Sequence, residues 1–371
     1  MTAPLNPLNR IRPDVRAMHA YTVQSADGLL KMDAMENPFG LPPHLQAALG
    51  QRLGALELNR YPGPRNDDLR AALAQYVGLP EGCALILGNG SDELISLVSL
   101  ACALPPGADG QRPVALAPVP GFVMYAMSAQ LQGLDFVGVP LTPDFALDEA
   151  AMLAAIAQHR PAITYIAYPN NPTATLWDEG AVQRIIDAVG AQGGIVAVDE
   201  AYQPFASRTW LTRMQAEPAR NAHVLLMRTL SKFGLAGVRL GYMLGQPALV
   251  AEIDKVRPPY NVSVLNCEAA LFALEHADVF AAQAAELRAQ RTVLIEALRA
   301  MPGIEKVWDS EANMVLVRVA NAGKTYEGMK TRKVLIKNVS TMHPLLHNCL
   351  RLTVGNAQDN ATMLAALQAS L

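Results

Sequence analysis

The sequence has few of the residues that mark secreted, metal-binding or membrane-spanning proteins. Its four cysteines lie far apart among 371 residues and form no Cys-x-x-Cys pair. We therefore expect unpaired thiols in a reducing compartment, with neither a disulfide nor a metal centre. No basic segment followed by an apolar run opens the chain, so no signal peptide is expected. The longest apolar stretch, residues 94–104, is about half of a membrane span. These features predict a soluble, cytoplasmic protein.

Charge is scarce as well. Only 17% of the residues are charged and 51% are hydrophobic, whereas an average soluble domain is about 25% charged. Such a balance favours a sheet covered by helices on both faces, and a buried subunit interface. The net charge of −3 gives no reason to expect nucleic acid or an anionic membrane as a partner. A chain of this length predicts two domains, or one large domain with a smaller lobe.

Short apolar runs alternate with longer amphipathic stretches over residues 40–265. Most of the short runs are continuously apolar, which is typical of strands buried on both faces of a mainly parallel sheet. The strand candidates are 83–87, 114–117, 136–139, 163–168, 195–198, 224–227 and 240–244, and helical candidates between them are 92–102, 147–158 and 178–191. This alternation predicts a large α/β domain over residues 40–265.

The pattern changes after the two prolines at positions 258 and 259. A long helical stretch, 279–300, precedes strand candidates at 314–319, 334–336 and 350–354, and a last helix is expected near 363–367. We therefore predict a smaller α+β domain over residues 266–371. The first 35 residues contain prolines and little periodicity, which indicates an N-terminal arm, residues 1–39, that packs on another surface.

Lys232 lies in an unusual setting for a lysine. The apolar, glycine-rich run 228–241 contains only two other charged residues, Arg228 and Arg239. Burial and a neighbouring cation both lower the pKa of a lysine, and this makes the amine able to form an imine. Taken alone, such a lysine is more often a structural one whose stem is buried and whose head reaches solvent.

Further polar residues follow predicted strands, at the edge where ligands bind in open α/β sheets. Gly90, Ser91 and Asp92 follow the first strand, and their backbone N–H groups could hold a phosphate or simply begin a helix. Glu93 occupies the third glycine position of a dinucleotide-binding fingerprint, so that motif is excluded. A phosphate here would need a cation such as Arg239 to offset the carboxylates, and arginine can clamp it with two hydrogen bonds.

Two other strand ends carry an amide and a carboxylate. Asn171 lies in a Pro-Asn-Asn-Pro turn, and Asp199 follows four apolar residues. A carboxylate in that place needs a partner, which could be a salt bridge, a helix terminus or a protonated pyridine nitrogen. The intervals of 28 residues to Asp199 and 33 to Lys232 each fit one strand–helix–strand unit, so the three side chains should share one rim. Together with a phosphate site, they suggest a Schiff-base cofactor, pyridoxal phosphate.

The order of these motifs resembles the fold-type I (class I/II) pyridoxal-phosphate aminotransferases along essentially the whole chain, and most closely the histidinol-phosphate branch. The motifs that carry the resemblance occupy residues 33–40, 59–62, 169–173, 199–202, 228–232, 235–242 and 349–355. The resemblance implies a large domain with a mainly parallel seven-stranded sheet, a small C-terminal domain, an arm that packs on the partner subunit, and a homodimer with shared active sites.

The resemblance also implies how the cofactor is held. Lys232 would bind it covalently and shuttle a proton, and Asp199 would keep its pyridine nitrogen protonated. Asn171 and Tyr202 would hydrogen-bond the ring oxygen, while Phe122 would stack on the ring. The phosphate would be bound by the backbone of Ser91 and Asp92, by Ser231 and Arg239, and by Tyr61 of the other subunit.

Three residues are implied to bind substrate. Arg351 would hold the carboxylate of glutamate or the phosphate of histidinol phosphate, and alternation along 350–354 places it opposite the apolar face; a surface arginine is the alternative. Lys337 occupies a position where relatives often carry a second arginine for the substrate phosphate. Tyr21, in the arm, is expected to reach the neighbouring subunit's site.

The implied reaction transfers an amino group between L-glutamate and imidazole-acetol phosphate, a step of histidine biosynthesis that gives L-histidinol phosphate and 2-oxoglutarate. Alternatives are an aminotransferase for aromatic or broad amino acids, and a decarboxylase of threonine phosphate. A non-catalytic regulator is disfavoured because the lysine is present. The chain departs from the family pattern at Met35, where many relatives have Asn, and in a Lys232–Arg239 interval one residue shorter than in some. Ala174 replaces a usual glycine, so that turn should avoid positive φ.

Overall fold

A seven-stranded sheet forms the centre of the structure, a computed structural model that describes residues 6–18, 20, 24–104 and 110–371. The strands of all the sheets in the described residues are, in chain order, β1 (Leu30–Lys31), β2 (Ala84–Gly88), β3 (Val114–Val119), β4 (Asp135–Pro140), β5 (Ile163–Ala167), β6 (Ile195–Asp199), β7 (Val224–Thr229), β8 (Gly241–Gly245), β9 (Ile304–Val307), β10 (Met314–Val319), β11 (Val334–Leu335), β12 (Lys337–Asn338) and β13 (Cys349–Thr353).

Helices separate most of these strands. They are α1 (Pro13–Ala17), α2 (Pro43–Gly54), α3 (Arg65–Val77), α4 (Ser91–Cys102), α5 (Val123–Gln132), α6 (Glu149–His159), α7 (Glu179–Gly190), α8 (Leu211–Ala216), α9 (Pro247–Asp254), α10 (Val264–Glu275), α11 (Ala277–Ala300), α12 (Ala322–Thr331) and α13 (Ala357–Gln368). Side-chain caps begin several of them: Asp148 and Asp178 accept from the third residue after them, at α6 and α7. In the described residues no helix is long and apolar enough to cross a bilayer.

The large sheet has the strand order β2-β8-β7-β6-β5-β3-β4. β8 runs antiparallel to both neighbours, β2 and β7, and the remaining pairs are parallel. The prediction of a mainly parallel seven-stranded sheet is therefore confirmed. Because β5, β6 and β7 are neighbours in parallel register, their carboxyl ends meet at one edge, and this edge carries the residues singled out by their spacing.

Both faces of this sheet are buried. Along β6, Val196 and Val198 pack into one hydrophobic cluster, while Ala197 between them packs into another on the opposite face. Leu226 and Met227 of β7 divide in the same way. Burial on both sides explains why these strands are continuously apolar in sequence rather than alternating.

The C-terminal part of the chain builds a four-stranded antiparallel sheet with the order β12-β13-β10-β9. β1 and β11 pair in parallel as a separate two-stranded sheet, and Met32 joins the apolar cluster that covers the four-stranded sheet. Residues 30–36 therefore pack against the C-terminal part of the chain. The predicted division at residues 39 and 265 stays a prediction.

One expectation about the backbone is wrong. Ala174 adopts a positive φ of 60°, although we expected an alanine to avoid it. Its N–H donates to the Asn170 carbonyl at 2.9 Å, and its carbonyl accepts from the Glu311 N–H at 2.9 Å. The methyl group is fully buried in the apolar cluster that contains Tyr202 and Phe205. Packing and these two hydrogen bonds outweigh a left-handed cost of roughly 1–2 kcal/mol.

Candidate active site

A cavity of about 360 Å³ opens at the carboxyl ends of β5, β6 and β7, a size that suits a small ligand. Residues 34–36 close it from the side of the C-terminal sheet. Nine of the predicted site residues line this cavity: Ser91, Asp92, Phe122, Asn171, Asp199, Tyr202, Ser231, Lys232 and Arg239. The spacing argument predicted one rim for Asn171, Asp199 and Lys232, and the fold brings these three side chains together.

Lys232 lies in a short turn, Ser231–Leu235, directly after β7. Its Nζ donates to the backbone carbonyl of Ala34 at 2.8 Å and lies 6.0 Å from the centre of the Tyr202 ring. Burial, followed by the positive charge of Arg351, lowers the pKa of Lys232 to about 8. The amine is therefore far more available as a nucleophile near neutral pH than an ordinary lysine.

Asp199 ends β6 with its carboxylate facing the cavity. Its Oδ2 accepts from the Tyr125 hydroxyl at 2.7 Å, and its Oδ1 accepts from the Ala201 N–H at 3.0 Å. Among the described residues, no lysine, arginine or histidine forms an ion pair with it. Burial raises the pKa of Asp199 to about 6, and the Tyr125 hydrogen bond opposes this rise. The site therefore contains a buried carboxylate that a cationic ligand would stabilise in its charged form.

The next residue, Glu200, points to the opposite face of the sheet. Its carboxylate forms an ion pair with Arg228 of β7 at 2.9 Å and accepts from the Thr209 hydroxyl at 2.8 Å. The backbone N–H of Trp210 also donates to it. All of these groups except Thr209 are buried, so Glu200 has a complete set of partners inside the protein.

One end of the cavity is built to receive an anion. α4 begins at Ser91 without a side-chain cap, and Gly90 before it has a φ of 84°. A Cβ at Gly90 would lie 2.8 Å from Nη2 of Arg239, and one at Gly241 would lie 3.0 Å from the Ser91 nitrogen. Two glycines therefore let a guanidinium approach the open N–H groups of a helix terminus.

The two acidic residues at this end of the cavity, Asp92 and Glu93, both have partners within the protein. Asp92 Oδ2 lies 3.4 Å from Nη2 of Arg239, and both side chains are about half exposed. The Glu93 carboxylate turns away, accepting from the Asn89 N–H and the Asn261 side chain at 2.6 Å each. Repulsion of a phosphate by Glu93, which the sequence suggested, is thereby reduced.

Comparison with known proteins shows the family to which the chain belongs. Residues 27–369 match the family model described as aminotransferase class I and II. The chain belongs to this family. Histidinol-phosphate aminotransferases of Paracidovorax citrulli (strain AAC00-1) and Acidovorax sp. (strain JS42) are 79% and 78% identical to this chain. The alignments cover 98% of this chain and 98% of the first relative, and 100% of this chain and 99% of the second.

Solved structures of other proteins resemble this chain in fold. The histidinol-phosphate aminotransferase of Clostridium acetobutylicum superposes with a TM-score of 0.81 at 22% identity, over 92% of this chain and 98% of that one. The Sinorhizobium meliloti protein of the same name, solved in complex with pyridoxal-5'-phosphate, gives a TM-score of 0.79 at 23% identity, over 97% of both chains. These identities support the fold alone.

Three of the predicted residues that the structure describes, Arg351, Lys337 and Tyr61, do not line the cavity. Arg351 contacts a lining residue, because its Nη1 donates to Asn171 Oδ1 and its Nη2 to the Asp33 carbonyl, both at 2.7 Å. Lys337 is paired with Arg351 across β12 and β13, so both side chains leave the same face. Tyr61 is 76% exposed and stacks on Tyr260. Tyr21 lies outside the described residues.

Sequence reasoning missed three polar residues that line the cavity, Glu36, Tyr125 and Thr229. Tyr125 lies three residues after Phe122, a spacing that places both on one side of the α5 terminus, and this spacing could have revealed it. The Thr229 hydroxyl lies 2.9 Å from that of Ser231. No sequence signal indicated that the Ala34 backbone carbonyl would bind Lys232, because that contact joins residues 198 positions apart.

Proposed function

We propose that this aminotransferase uses pyridoxal 5'-phosphate to transfer an amino group between L-glutamate and imidazole-acetol phosphate, giving L-histidinol phosphate and 2-oxoglutarate. The observation that carries the choice of substrate is near-complete alignment, at 78–79% identity, with proteins named histidinol-phosphate aminotransferase. The threonine-phosphate decarboxylase of Porphyromonas gingivalis is 19% identical, so it supports only a shared fold. A cytoplasmic location is part of the same proposal, in keeping with a step of amino-acid biosynthesis.

The residues present fit this cofactor. Buried Asp199 forms no ion pair with any described side chain. A protonated ring nitrogen would supply the missing positive charge. The glycines at 90 and 241 leave room where Arg239 and the Ser91 N–H meet, which suits a phosphate. Lys232 adds an amine with a lowered pKa to the same cavity. The three chemical needs of the cofactor thus have matching partners in one cavity.

Pyridoxal phosphate, when bound, supplies an aldehyde that bonds to amines and a ring that accepts electrons released at the substrate carbon. The chain itself supplies proton handling and orientation. Lys232 Nζ, held by the Ala34 carbonyl, is the group that would move a proton to and from the substrate carbon. The ionised Asp199 would hold a proton at the ring nitrogen, and Tyr202 and Asn171 would donate to the ring oxygen.

Substrate binding is assigned to the Arg351 side of the cavity. The guanidinium is held by Asn171 and by the Asp33 carbonyl, and its fork can bind a carboxylate or a phosphate with two hydrogen bonds. Lys337, opposite Arg351 in the antiparallel pair, adds positive charge on the same face. Glutamate and a phosphorylated amino alcohol could therefore share this position in the two half-reactions.

We also propose a homodimer in which Tyr61 completes the partner's site. Tyr61 and Leu58 are 76% and 64% exposed, and Tyr61 stacks on the half-exposed Tyr260 at 4.5 Å. Large exposed side chains that lie together favour a protein contact. Mixing inactive Lys232→Ala and Tyr61→Ala subunits should restore about one quarter of the native activity, because statistical assembly gives hybrid dimers with one intact site. Mixtures that stay inactive would contradict shared sites.

The test of substrate is a comparison of kcat/KM for histidinol phosphate, histidinol and phenylalanine as amino donors to 2-oxoglutarate. We expect histidinol phosphate to exceed histidinol by at least about a hundredfold, because the site's cations lose their partner without the phosphate. Equal rates would contradict the assignment. Release of carbon dioxide from threonine phosphate would instead support the decarboxylase.

A further inference from the structure

Tyr125 is a buried tyrosine whose hydroxyl group points at the Asp199 carboxylate. Its side chain is 2% exposed, lies in the first turn of α5, and lines the cavity. The hydroxyl donates to Asp199 Oδ2 at 2.7 Å. A hydrogen bond donated to a carboxylate stabilises the charged form, and it is stronger than one between neutral groups.

Two aromatic contacts fix the Tyr125 ring. It stacks on Tyr165 of β5 with ring centres 4.5 Å apart and planes 4° from parallel. Phe122 meets it edge-on at 5.7 Å with an interplanar angle of 88°. Both are favoured geometries for aromatic pairs. The direction of the hydroxyl is therefore set by ring packing and does not depend on the hydrogen bond itself.

The two oxygens of Asp199 have different kinds of donor. Oδ1 accepts from the Ala201 backbone N–H at 3.0 Å, which any residue could supply, and Oδ2 accepts from Tyr125. Within the described ranges, Tyr125 is the one side chain that hydrogen-bonds this carboxylate. Asp199 is buried, and burial favours its neutral form. Loss of the tyrosine hydroxyl would leave the backbone donor alone to oppose burial.

We propose that Tyr125 is a positioning residue that holds the Asp199 carboxylate charged and oriented for a cationic ring N–H in the cavity. The inference rests on the proposed function, since it requires pyridoxal phosphate as the ligand. It predicts that one hydroxyl group, through Asp199, controls how strongly the cofactor is bound and how its bond to Lys232 titrates.

Tyr125→Phe tests the inference, because it removes the hydroxyl and keeps the stacked ring. Tyr165→Phe is the matched control: it also removes one buried tyrosine hydroxyl, which bonds Ser99 Oγ at 2.9 Å and the Ile95 carbonyl at 3.3 Å and forms no hydrogen bond with Asp199. The measurements on each purified holoenzyme are the dissociation constant for pyridoxal phosphate, the pH midpoint of the visible absorption band, and kcat and KM for glutamate.

For Tyr125→Phe we expect about tenfold weaker cofactor binding and about tenfold lower kcat, the scale of losing one hydrogen bond to a charged group. The KM for glutamate should stay within about twofold, because Tyr125 is not placed among the substrate-binding groups. The absorption midpoint should move to higher pH, since a weaker positive charge at the ring nitrogen makes the lysine-linked nitrogen harder to deprotonate. Tyr165→Phe should match the native protein in all three measurements.

Two results would overturn the inference: native behaviour of Tyr125→Phe, or equal effects of Tyr125→Phe and Tyr165→Phe. A further check combines Tyr125→Phe with Asp199→Asn, where the tyrosine change should add almost nothing; a fully additive loss would refute the coupling. If Tyr125→Phe folds poorly, Tyr125→His keeps a ring and an N–H donor and should bind cofactor within about threefold of native. A well-folded Tyr125→His with tenfold weaker binding would also overturn it.

Failure of the proposed function would look different. In that case the native protein itself would bind no pyridoxal phosphate and show no visible band. Native binding and turnover, together with an unaffected Tyr125→Phe, would refute the role of Tyr125 alone.

Discussion

At the ends of β6 and β7, the neighbouring acidic residues Asp199 and Glu200 lie on opposite faces of the sheet and have different surroundings. On one face Glu200 is closed off by Arg228, the Thr209 hydroxyl and a backbone N–H. On the other face Asp199, one residue earlier, has a tyrosine hydroxyl and a backbone N–H, with an open cavity in front of it. Alternation along a strand separates the two carboxylates.

This contrast distinguishes a structural carboxylate from a functional one. The charges of a buried ion pair that is complete within the protein are already compensated, and removal of one partner would leave the other charge buried and unpaired. Burial raises the pKa of Asp199 to about 6, so its charged form is destabilised in the folded protein unless a ligand supplies a positive charge. Changes on the cavity face should therefore reduce activity, and changes on the closed face should reduce stability.

The largest effect on the cavity face is expected from Lys232→Ala. Loss of the amine removes both the covalent attachment and the proton carrier, so turnover should fall at least about a thousandfold. Stability should be preserved, because the amine is partly desolvated and has one backbone partner. Lys255→Ala, an exposed lysine on the surface, is the control. A variant with more than a tenth of native turnover would contradict the role of Lys232.

Asp199→Asn comes next. It should lower kcat about a hundredfold while pyridoxal phosphate remains bound, because an amide cannot stabilise a protonated ring nitrogen. The free energy of unfolding should change little, since a neutral side chain suits the buried position. Steady-state kinetics and thermal unfolding of the same preparation provide the measurement. Near-normal turnover would show that the carboxylate is not the ring-nitrogen partner.

Glu200→Gln should show the opposite profile. It leaves Arg228 buried beside a neutral group, and the free energy of unfolding should fall by about 3 kcal/mol, as for other broken buried pairs. Turnover per folded molecule should stay within about threefold of native, because Glu200 does not face the cavity. Urea unfolding and kinetics at a temperature where both proteins are folded would measure it. A large loss of turnover with native stability would remove the distinction between the faces.

The pH dependence of stability should sharpen the comparison further. In the ligand-free protein the pKa of Asp199, about 6, lies above its usual value, so the folded chain keeps a proton that the unfolded chain loses. The free energy of unfolding should therefore fall as pH rises from about 4 to 6. The pKa of Lys232, about 8, lies below its usual value, so stability should rise with pH between about 8 and 10.

Single variants identify the source of each slope. Asp199→Asn should flatten the fall between about pH 4 and 6, and Lys232→Met should flatten the rise between about pH 8 and 10. Urea unfolding at several pH values gives the free energies. Unchanged slopes in both variants would mean that these two groups do not carry the pH dependence.

The smallest effect is expected from Lys337→Ala. The lysine is outside the described cavity lining but shares a strand face with Arg351. Its loss should raise the KM for histidinol phosphate about threefold to tenfold, with no change for glutamate, because a lysine contributes a point charge to phosphate binding. Identical changes for both substrates would indicate that the lysine only supports the fold.

Sequence reasoning located the cavity face better than the contacts across it. The spacing of Asn171, Asp199 and Lys232 predicts one rim because consecutive strand–helix–strand units place strand ends side by side. The contacts of Arg351 with Asp33, and of Lys232 with Ala34, depend on the path that the N-terminal region takes along the C-terminal part of the chain. No local pattern encodes that path. The positive φ of Ala174 was missed for the same reason, since distant packing imposes it.

The most direct test of the account is to reduce the holoenzyme with borohydride, which makes a lysine–cofactor bond permanent, and to map the labelled peptide by mass spectrometry. We predict that pyridoxal phosphate is attached to Lys232 and that the label disappears in Lys232→Ala. A label on another lysine, or none on a native protein saturated with the cofactor, would contradict the central claim.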